Sequence, residues 1–189
     1  STDEGAALTI AAAAGVLAND TDIDSLRLQS FLTNYPGYQV SGPFYGSLTL
    51  NNDGSFRYVP NAGFVGSDGF AYKAFDGSLY SSSVAVAQIT VLTNHAPAAA
   101  NDSYSTQEDQ SVVISLSSLL ANDSDSDGDP ISFYRISTWP VRGSLNGVWD
   151  PRTNVLSGYR YTPNSNYNGT DSFTYQVKDE HGKIGTATA

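Results

Sequence analysis

The chain has 189 residues, 40% of them apolar, and carries 9 Lys and Arg against 19 Asp and Glu for a formal net charge of -10. That length and apolar share allow packed cores, in one large domain or two of ordinary size, and exclude a disordered acidic tail. The charge disfavours nucleic acid and anionic membrane surfaces and attracts divalent cations, and the lack of Cys excludes disulfides, thiol catalysis and thiolate metal sites.

With that charge no nucleic acid binding is expected, and because no stretch of about 18 consecutive apolar residues occurs, no membrane insertion is expected either. Taken in order, Ala11 to Leu17 suits a single helical turn. Ala18-Asn19-Asp20-Thr21-Asp22-Ile23-Asp24 follows, with carboxylates at every second position. Asn52-Asp53-Gly54 lies between Leu48-Thr49-Leu50 and Phe56-Arg57-Tyr58. It predicts a hairpin, because Asp-Gly tolerates the positive φ of a tight turn. Gln88 to Leu92 alternates as a closing strand, and Thr93-Asn94-His95-Ala96-Pro97 leads onward.

The same frame then recurs. Ala121-Asn122-Asp123 repeats Ala18-Asn19-Asp20, and Gly143-Ser144-Leu145 repeats Gly46-Ser47-Leu48. Tyr159-Arg160-Tyr161-Thr162-Pro163-Asn164 repeats Phe56 to Asn61, and Tyr167 to Tyr175 repeats Phe64 to Tyr72. Most pairs are 103 positions apart. Two copies of one domain follow, at 1–94 and 95–189. Copy one opens at the equivalent of Thr106 and copy two stops short of the equivalent of Leu92, which leads us to expect a pair taken from a longer array. In copy two, Ser111 to Leu116, Ile131 to Ile136, Tyr159 to Thr162 and Ser172 to Val177 predict strands, with a helical turn at Ser117 to Leu120. About seven short strands in roughly 100 residues predict an all-β fold, two tandem seven-stranded antiparallel sandwiches.

The most charged stretch is Ala121 to Pro130, where Asp123, Asp125, Asp127 and Asp129 fall at alternate positions and Gly128 supplies a turn. Four carboxylates so close repel one another unless a cation lies among them or water separates them. Hard oxygen donors on a short loop suit calcium; the alternative is a solvated acidic turn. An EF-hand is excluded, because its twelfth position would be Tyr134 rather than a bidentate Glu. Copy one keeps Asp20, Asp22 and Asp24 but has Ser25-Leu26 in place of Gly128-Asp129, so its site is expected to be weaker.

These motifs, in order and duplicated, resemble the cadherin-like tandem repeats of bacterial surface proteins and large secreted adhesins. The likeness rests on A-N-D-x-D-x-D, on G-S-L followed by D-G-S-F-R-Y-V-P-N, on F-x-G-x-D-x-F-x-Y, and on Val177 to Gly182 with Ala74 to Gly77. It implies Ig/cadherin-like sandwiches that are extracellular, calcium-dependent and rod-like, with neighbouring repeats as partners. By that resemblance the ligand Glu looks like Glu4 and Glu108, the Asp-x-Asp pair like Asp20 and Asp22 and like Asp123 and Asp125, and the late Asp like Asp76 and Asp179. It also implies that Glu4 faces Asp123, Asp125 and Asp179 across the junction. The linker departs from the pattern, since Leu92 to Pro97 holds no carboxylate. An ion bridging the repeats and a site confined to copy two both stay open.

Asp68 and Asp171, in their Gly-x-Asp-x-Phe frames, are expected to fix a turn by accepting backbone N–H bonds. Tyr72 and Tyr175 are expected in the core, each hydroxyl reaching backbone at a corner. No catalysis is expected: His95 and His181 do not recur between copies, and no Ser-His-Asp order or metal-type His pair is present. Tyr38, Trp139 and Trp149, the last in an extra loop from Gly147 to Ser157, could stack on sugars or instead cover the cores. The expected function is a calcium-binding spacer and adhesion module of a secreted or cell-surface bacterial adhesin. Polysaccharide binding, another cell-surface protein as target, and calcium-dependent homophilic adhesion are the alternatives.

Overall fold

Alternating apolar and polar residues become short strands in both halves of the chain. The computed structural model describes residues 1–25, 27–34 and 41–189. They divide into two packing units, Ser1–Asn94 and His95–Ala189, each with its own core.

The first unit contains β1 (Thr2–Asp3), β2 (Leu8–Ile10), a 3-10 turn at Ala12–Ala14, β3 (Gln29–Thr33), β4 (Gly46–Leu50), β5 (Phe56–Pro60), β6 (Gly66–Phe75) and β7 (Ala85–Leu92). One sheet runs β1-β7-β6-β3 and the other β2-β5-β4. The expected hairpin joins β4 and β5: Gly54 takes φ +86°, and the Asn51 N–H bonds the Ser55 carbonyl at 2.9 Å. Between the sheets lie Tyr58, Phe70, Tyr72, Ile89 and Val91. Each fully buried side chain of this size contributes roughly 1.5–3 kcal/mol.

The second unit contains β8 (Val112–Ser115), α1 (Leu116–Leu119), β9 (Ser132–Thr138), β10 (Gly143–Trp149), β11 (Leu156–Pro163), β12 (Thr174–Lys178) and β13 (Ile184–Thr188). Its sheets run β10-β11-β8 and β13-β12-β9 around Ile114, Leu119, Phe173, Tyr175 and Val177. Ser115 caps α1 by accepting from the Ser118 N–H at 3.1 Å.

Three details differ from expectation. β1 pairs with β7 in parallel, so the first sandwich is not wholly antiparallel. Six strands rather than seven form the second unit among the described residues, because nothing there takes the part of β1. Trp149 ends a strand instead of sitting in a loop: Gly147, Val148 and Trp149 pair with Tyr159, Gly158 and Leu156, with a bulge between Val148 and Trp149. The extra residues lengthen a hairpin.

Both tyrosine corners form as expected. The Tyr72 hydroxyl donates to the Val16 carbonyl at 2.6 Å, and that of Tyr175 to the Leu119 carbonyl at 2.9 Å. Burial, with Asp20 beside it, pushes the Tyr72 hydroxyl up to about 12. Each tyrosine ties the helical turn, and hence the acidic loop that follows it, to the core.

Candidate metal centre

The acidic loops turn on themselves through their own carboxylates. Asp22 Oδ1 accepts from the N–H groups of Asp24 and Ser25, at 3.0 and 2.8 Å, and Asp125 Oδ1 accepts from Asp127 at 2.8 Å. Asp76 and Asp179 sit just past β6 and β12 and brace the next turn in the same manner. Asp76 Oδ1 accepts from Ser78 at 2.6 Å and Leu79 at 2.7 Å, and Asp179 Oδ1 from Lys183 at 2.8 Å. One oxygen of each carboxylate is thereby committed to its turn, which holds the other in a defined direction.

These elements converge at one pole of each unit. Asp22, Asp24 and Asp76 each bring one oxygen within 4.8 Å of the other two, and Asp125, Asp129 and Asp179 do the same. Asp22 and Asp125 are counterparts, as are Asp76 and Asp179, both 103 positions apart. The third member changes. Gly128, at φ +84°, turns the second loop so that Asp129 rather than Asp127 enters the cluster. The second cluster is also the drier one, with Asp179 only 1% exposed.

Electrostatics follow from this crowding. The hydrogen bond from Asp24 and two backbone N–H groups hold Asp22 below the usual carboxylate range. The same hydrogen bond, and then the Asp22 charge, raise Asp24 in return. Burial, and then the Asp102 charge, raise Asp123, against the opposing pull of the Ala100 N–H and Tyr175.

The other expected ligands lie elsewhere. Asp20 accepts from the Tyr72 hydroxyl at 3.1 Å and so serves the tyrosine corner, whereas Asp123 accepts from the Ala100 N–H at 2.8 Å and the Tyr175 hydroxyl bonds Oδ2 of Asp102 at 2.8 Å. Asp127 Oδ2 accepts from the His95 N–H at 2.6 Å, and Oδ1 lies 2.9 Å from the His95 ring. Glu4 follows β1, its N–H bonding the Leu92 carbonyl at 2.8 Å, and Glu108 is exposed in a turn before β8. Neither glutamate belongs to a metal-sized group among the described residues. Sequence reasoning missed His181, whose Nδ1 lies 2.9 Å from Asp129 Oδ2, and Glu180, which shares a second such group with these two. Their contiguity with Asp179 was the available signal. Trp139 and Trp149 are 58% and 57% exposed. Tyr38 lies outside the described residues.

The donors in the two aspartate clusters are all carboxylate oxygens, which suit a hard divalent cation. In the second unit, Oδ2 of Asp125 is buried with no hydrogen-bond donor, as is Oδ2 of the neighbouring Asp123. Burying a carboxylate oxygen without a donor is costly unless a cation supplies the missing partner. The residues present therefore fit calcium.

Comparison with known proteins agrees with the fold. Residues 94–189 match the model of the bacterial Ig domain, and residues 1–93 that of the bacterial cadherin-like domain. The chain is similar to integrin beta-like protein B of Dictyostelium discoideum, at 34% identity over 125 residues, covering 60% of this chain and 6% of that protein. It thus spans a small fraction of that relative's length. Among solved structures, endo-fucoidan hydrolase MfFcnA4 from glycoside hydrolase family 107 aligns with 85% of this chain and 22% of its own, at 22% identity and a TM-score of 0.31. Endo-fucoidan hydrolase MfFcnA9 of the same family aligns with 86% of this chain and 27% of its own, at 14% identity and a TM-score of 0.24. TM-scores this low carry no argument. Domains of the two matched families are adhesin-type structural modules. The chain belongs to the bacterial Ig and cadherin-like domain families, one domain of each in tandem.

Proposed function

We propose that the two units are calcium-binding structural spacers of a bacterial extracellular or surface adhesin, without catalytic activity. The observation that carries this reading is the recurrence of one constellation. The same two aspartates, Asp22 with Asp76 and Asp125 with Asp179, gather a third carboxylate in both copies although the loops around them differ. Asp22, Asp24 and Asp76 would hold the ion in the first unit, and Asp125, Asp129 and Asp179 in the second. Glu4 and Glu108 are not needed to complete either cluster.

Calcium there would remove carboxylate repulsion and cross-link the acidic loop to the turn after β6 or β12. At a hundredfold excess over Kd it would add about 2.7 kcal/mol. Extracellular calcium modules typically bind at about 10⁻⁴ to 10⁻³ M, which suits a secreted or surface location. The test is a thermal melt in excess EDTA against millimolar CaCl₂. A calcium-dependent rise in Tm is expected, and superimposed curves would sink the proposal.

The exposure of Trp139 and Trp149 favours a second reading, polysaccharide binding through ring stacking. Retention on an affinity gel that Trp149→Ala abolishes would promote it. Self-association on adding calcium would instead promote homophilic adhesion.

A further inference from the structure

The second unit differs from the first at two places that lie far apart in the sequence and meet in the fold. One is the acidic loop, where Asp129 stands in the place of Leu26. The other is the turn after β12. There the Asp179 N–H bonds the Lys183 carbonyl at 3.1 Å, whereas the Asp76 N–H bonds that of Leu79 at 3.2 Å, so the later turn is one residue longer. Asp76-Gly77-Ser78-Leu79 becomes Asp179-Glu180-His181-Gly182-Lys183, which adds a carboxylate and an imidazole.

The two changes converge. His181 Nδ1 lies 2.9 Å from Asp129 Oδ2, across 52 positions of sequence. Glu180 completes the group: one ring nitrogen and one oxygen of each carboxylate lie within 4.8 Å of one another. The side chains of Asp129 and His181 are 9% and 13% exposed, while Glu180 is exposed and leaves the group open to solvent. The hydrogen bond between Asp129 and His181 holds both donors in place beforehand.

Chemistry separates this group from the aspartate clusters. Calcium takes oxygen donors. An imidazole nitrogen with two carboxylate oxygens instead suits a first-row transition metal ion or zinc. Three such donors leave a fourth position for water, which the exposed side of Glu180 allows. A second observation points to a cation at this place. Asp129 also belongs to the cluster with Asp125, whose Oδ2 is buried without a hydrogen-bond donor. The carboxylates of Asp125, Asp179 and Glu180 thus all gather around that of Asp129, an arrangement that added positive charge stabilises.

We infer that Asp129, Glu180 and His181 form a transition-metal site, for which zinc is the representative ion. It is specific to the second unit, because Leu26 and the Asp76–Leu79 turn supply no imidazole and no carboxylate beyond Asp76. The site itself needs no calcium. Since Asp129 is shared, zinc bound here withdraws a ligand from the aspartate cluster and lowers the calcium affinity of the second unit. That consequence rests on the calcium reading, and the zinc site does not.

The test titrates the full chain with ZnCl₂ in calcium-free buffer. Uptake of one zinc ion per chain is expected. It should shift the ring nitrogen resonances of His181 and leave those of His95, the other histidine of the chain. His181→Gln should abolish the uptake, and His95→Gln should leave it intact. The inference is overturned if the His181 resonances do not move, or if His181→Gln takes up zinc as the unaltered chain does. The resonances are read on the unaltered chain, so they decide the matter even where His181→Gln fails to fold. Uptake that depends on His181, beside superimposed melts in EDTA and calcium, would keep this site and remove the calcium reading.

Discussion

Tyr161 donates its hydroxyl hydrogen to Oδ2 of Asp171 at 2.9 Å, and the same carboxylate accepts from the N–H groups of Val141, Arg142 and Ser172. Asp68 repeats the arrangement with Tyr58, Phe44, Tyr45 and Gly69, at 2.8 to 2.9 Å. One carboxylate thus clamps the start of β4 or β10 to the other sheet. Two motifs that look unrelated in the sequence, R-Y-x-P and G-x-D-x-F, are the two halves of this clamp.

Replacing Asp171 by Asn should therefore be costly. The amide keeps one acceptor oxygen but turns an NH₂ group toward donors that need an acceptor. A loss of about 2–3 kcal/mol is expected in urea unfolding. The pH dependence should change with it. Burial pulls Asp171 upward, yet the bonds from Tyr161 and the three backbone N–H groups outweigh it and leave the carboxyl below its ordinary 3.8. A depressed carboxylate stabilises the fold above its unfolded pKa and loses that contribution as pH falls through its folded pKa. Stability should accordingly decline below pH 3.8, and the decline should be shallower in the variant.

The glycine of each G-S-L motif answers a steric demand that the sequence alone did not reveal. A methyl group at Gly143 would sit 2.5 Å from Tyr161 Cε2 and 2.6 Å from the Thr162 carbonyl oxygen. Gly46 meets Tyr58 in the same way, whereas Gly42 has nothing within 4 Å. Gly143→Ala and Gly46→Ala should each cost about 1–3 kcal/mol, because the clamping tyrosine must shift. Gly42→Ala should stay within about 0.5 kcal/mol. Chemical denaturation of the three variants checks the ordering.

What was legible in the sequence was whatever repeats. Duplication marked the tyrosine corners and the clamping aspartates, because each recurs with its neighbours in order, while the hairpin at Gly54 was marked by its own Asp-Gly turn. The fates of individual carboxylates were harder to see. Asp20 and Asp123 share a spacing with Asp22 and Asp125, but only the three-dimensional turn shows that the former pair faces a tyrosine hydroxyl or the strand entry. Asp127 and Asp129 were equivalent by spacing as well. The positive φ of Gly128 separates them, sending one to His95 and the other to Asp179 and His181. The parallel β1–β7 pairing was invisible for a simpler reason: two residues carry no periodicity.

The different fates of Asp125 and Asp127 give a test within one loop. Asp125→Asn should reduce the calcium-dependent rise in Tm of the second unit and leave the melt in EDTA nearly unchanged. Asp127→Asn should leave the calcium-dependent rise intact, because that side chain lies with His95 rather than in the cluster. Equal losses in the two variants would show that the whole acidic run acts as a diffuse charge rather than as a site. Differential scanning of the two variants with and without calcium separates these outcomes.

The first unit should take up calcium in competition with protons. Asp22 and Asp24 titrate as a pair: the hydrogen bond they share holds Asp22 low and raises Asp24, and the Asp22 charge adds to that rise. A cation among Asp22, Asp24 and Asp76 competes with protonation of Asp24, so affinity should strengthen as pH rises through the Asp24 titration and then level off. In the second unit Asp129 takes the third place, so its calcium affinity should not follow the Asp24 titration. Asp24→Asn removes both the titrating group and one ligand charge. It should flatten the pH dependence of the first unit and weaken its binding at neutral pH by about tenfold, through the lower ligand charge. Calorimetric calcium titrations at neutral and mildly acidic pH, with the second site silenced by Asp125→Asn, measure this directly. A pH dependence that persists in Asp24→Asn would place the competing proton on another group.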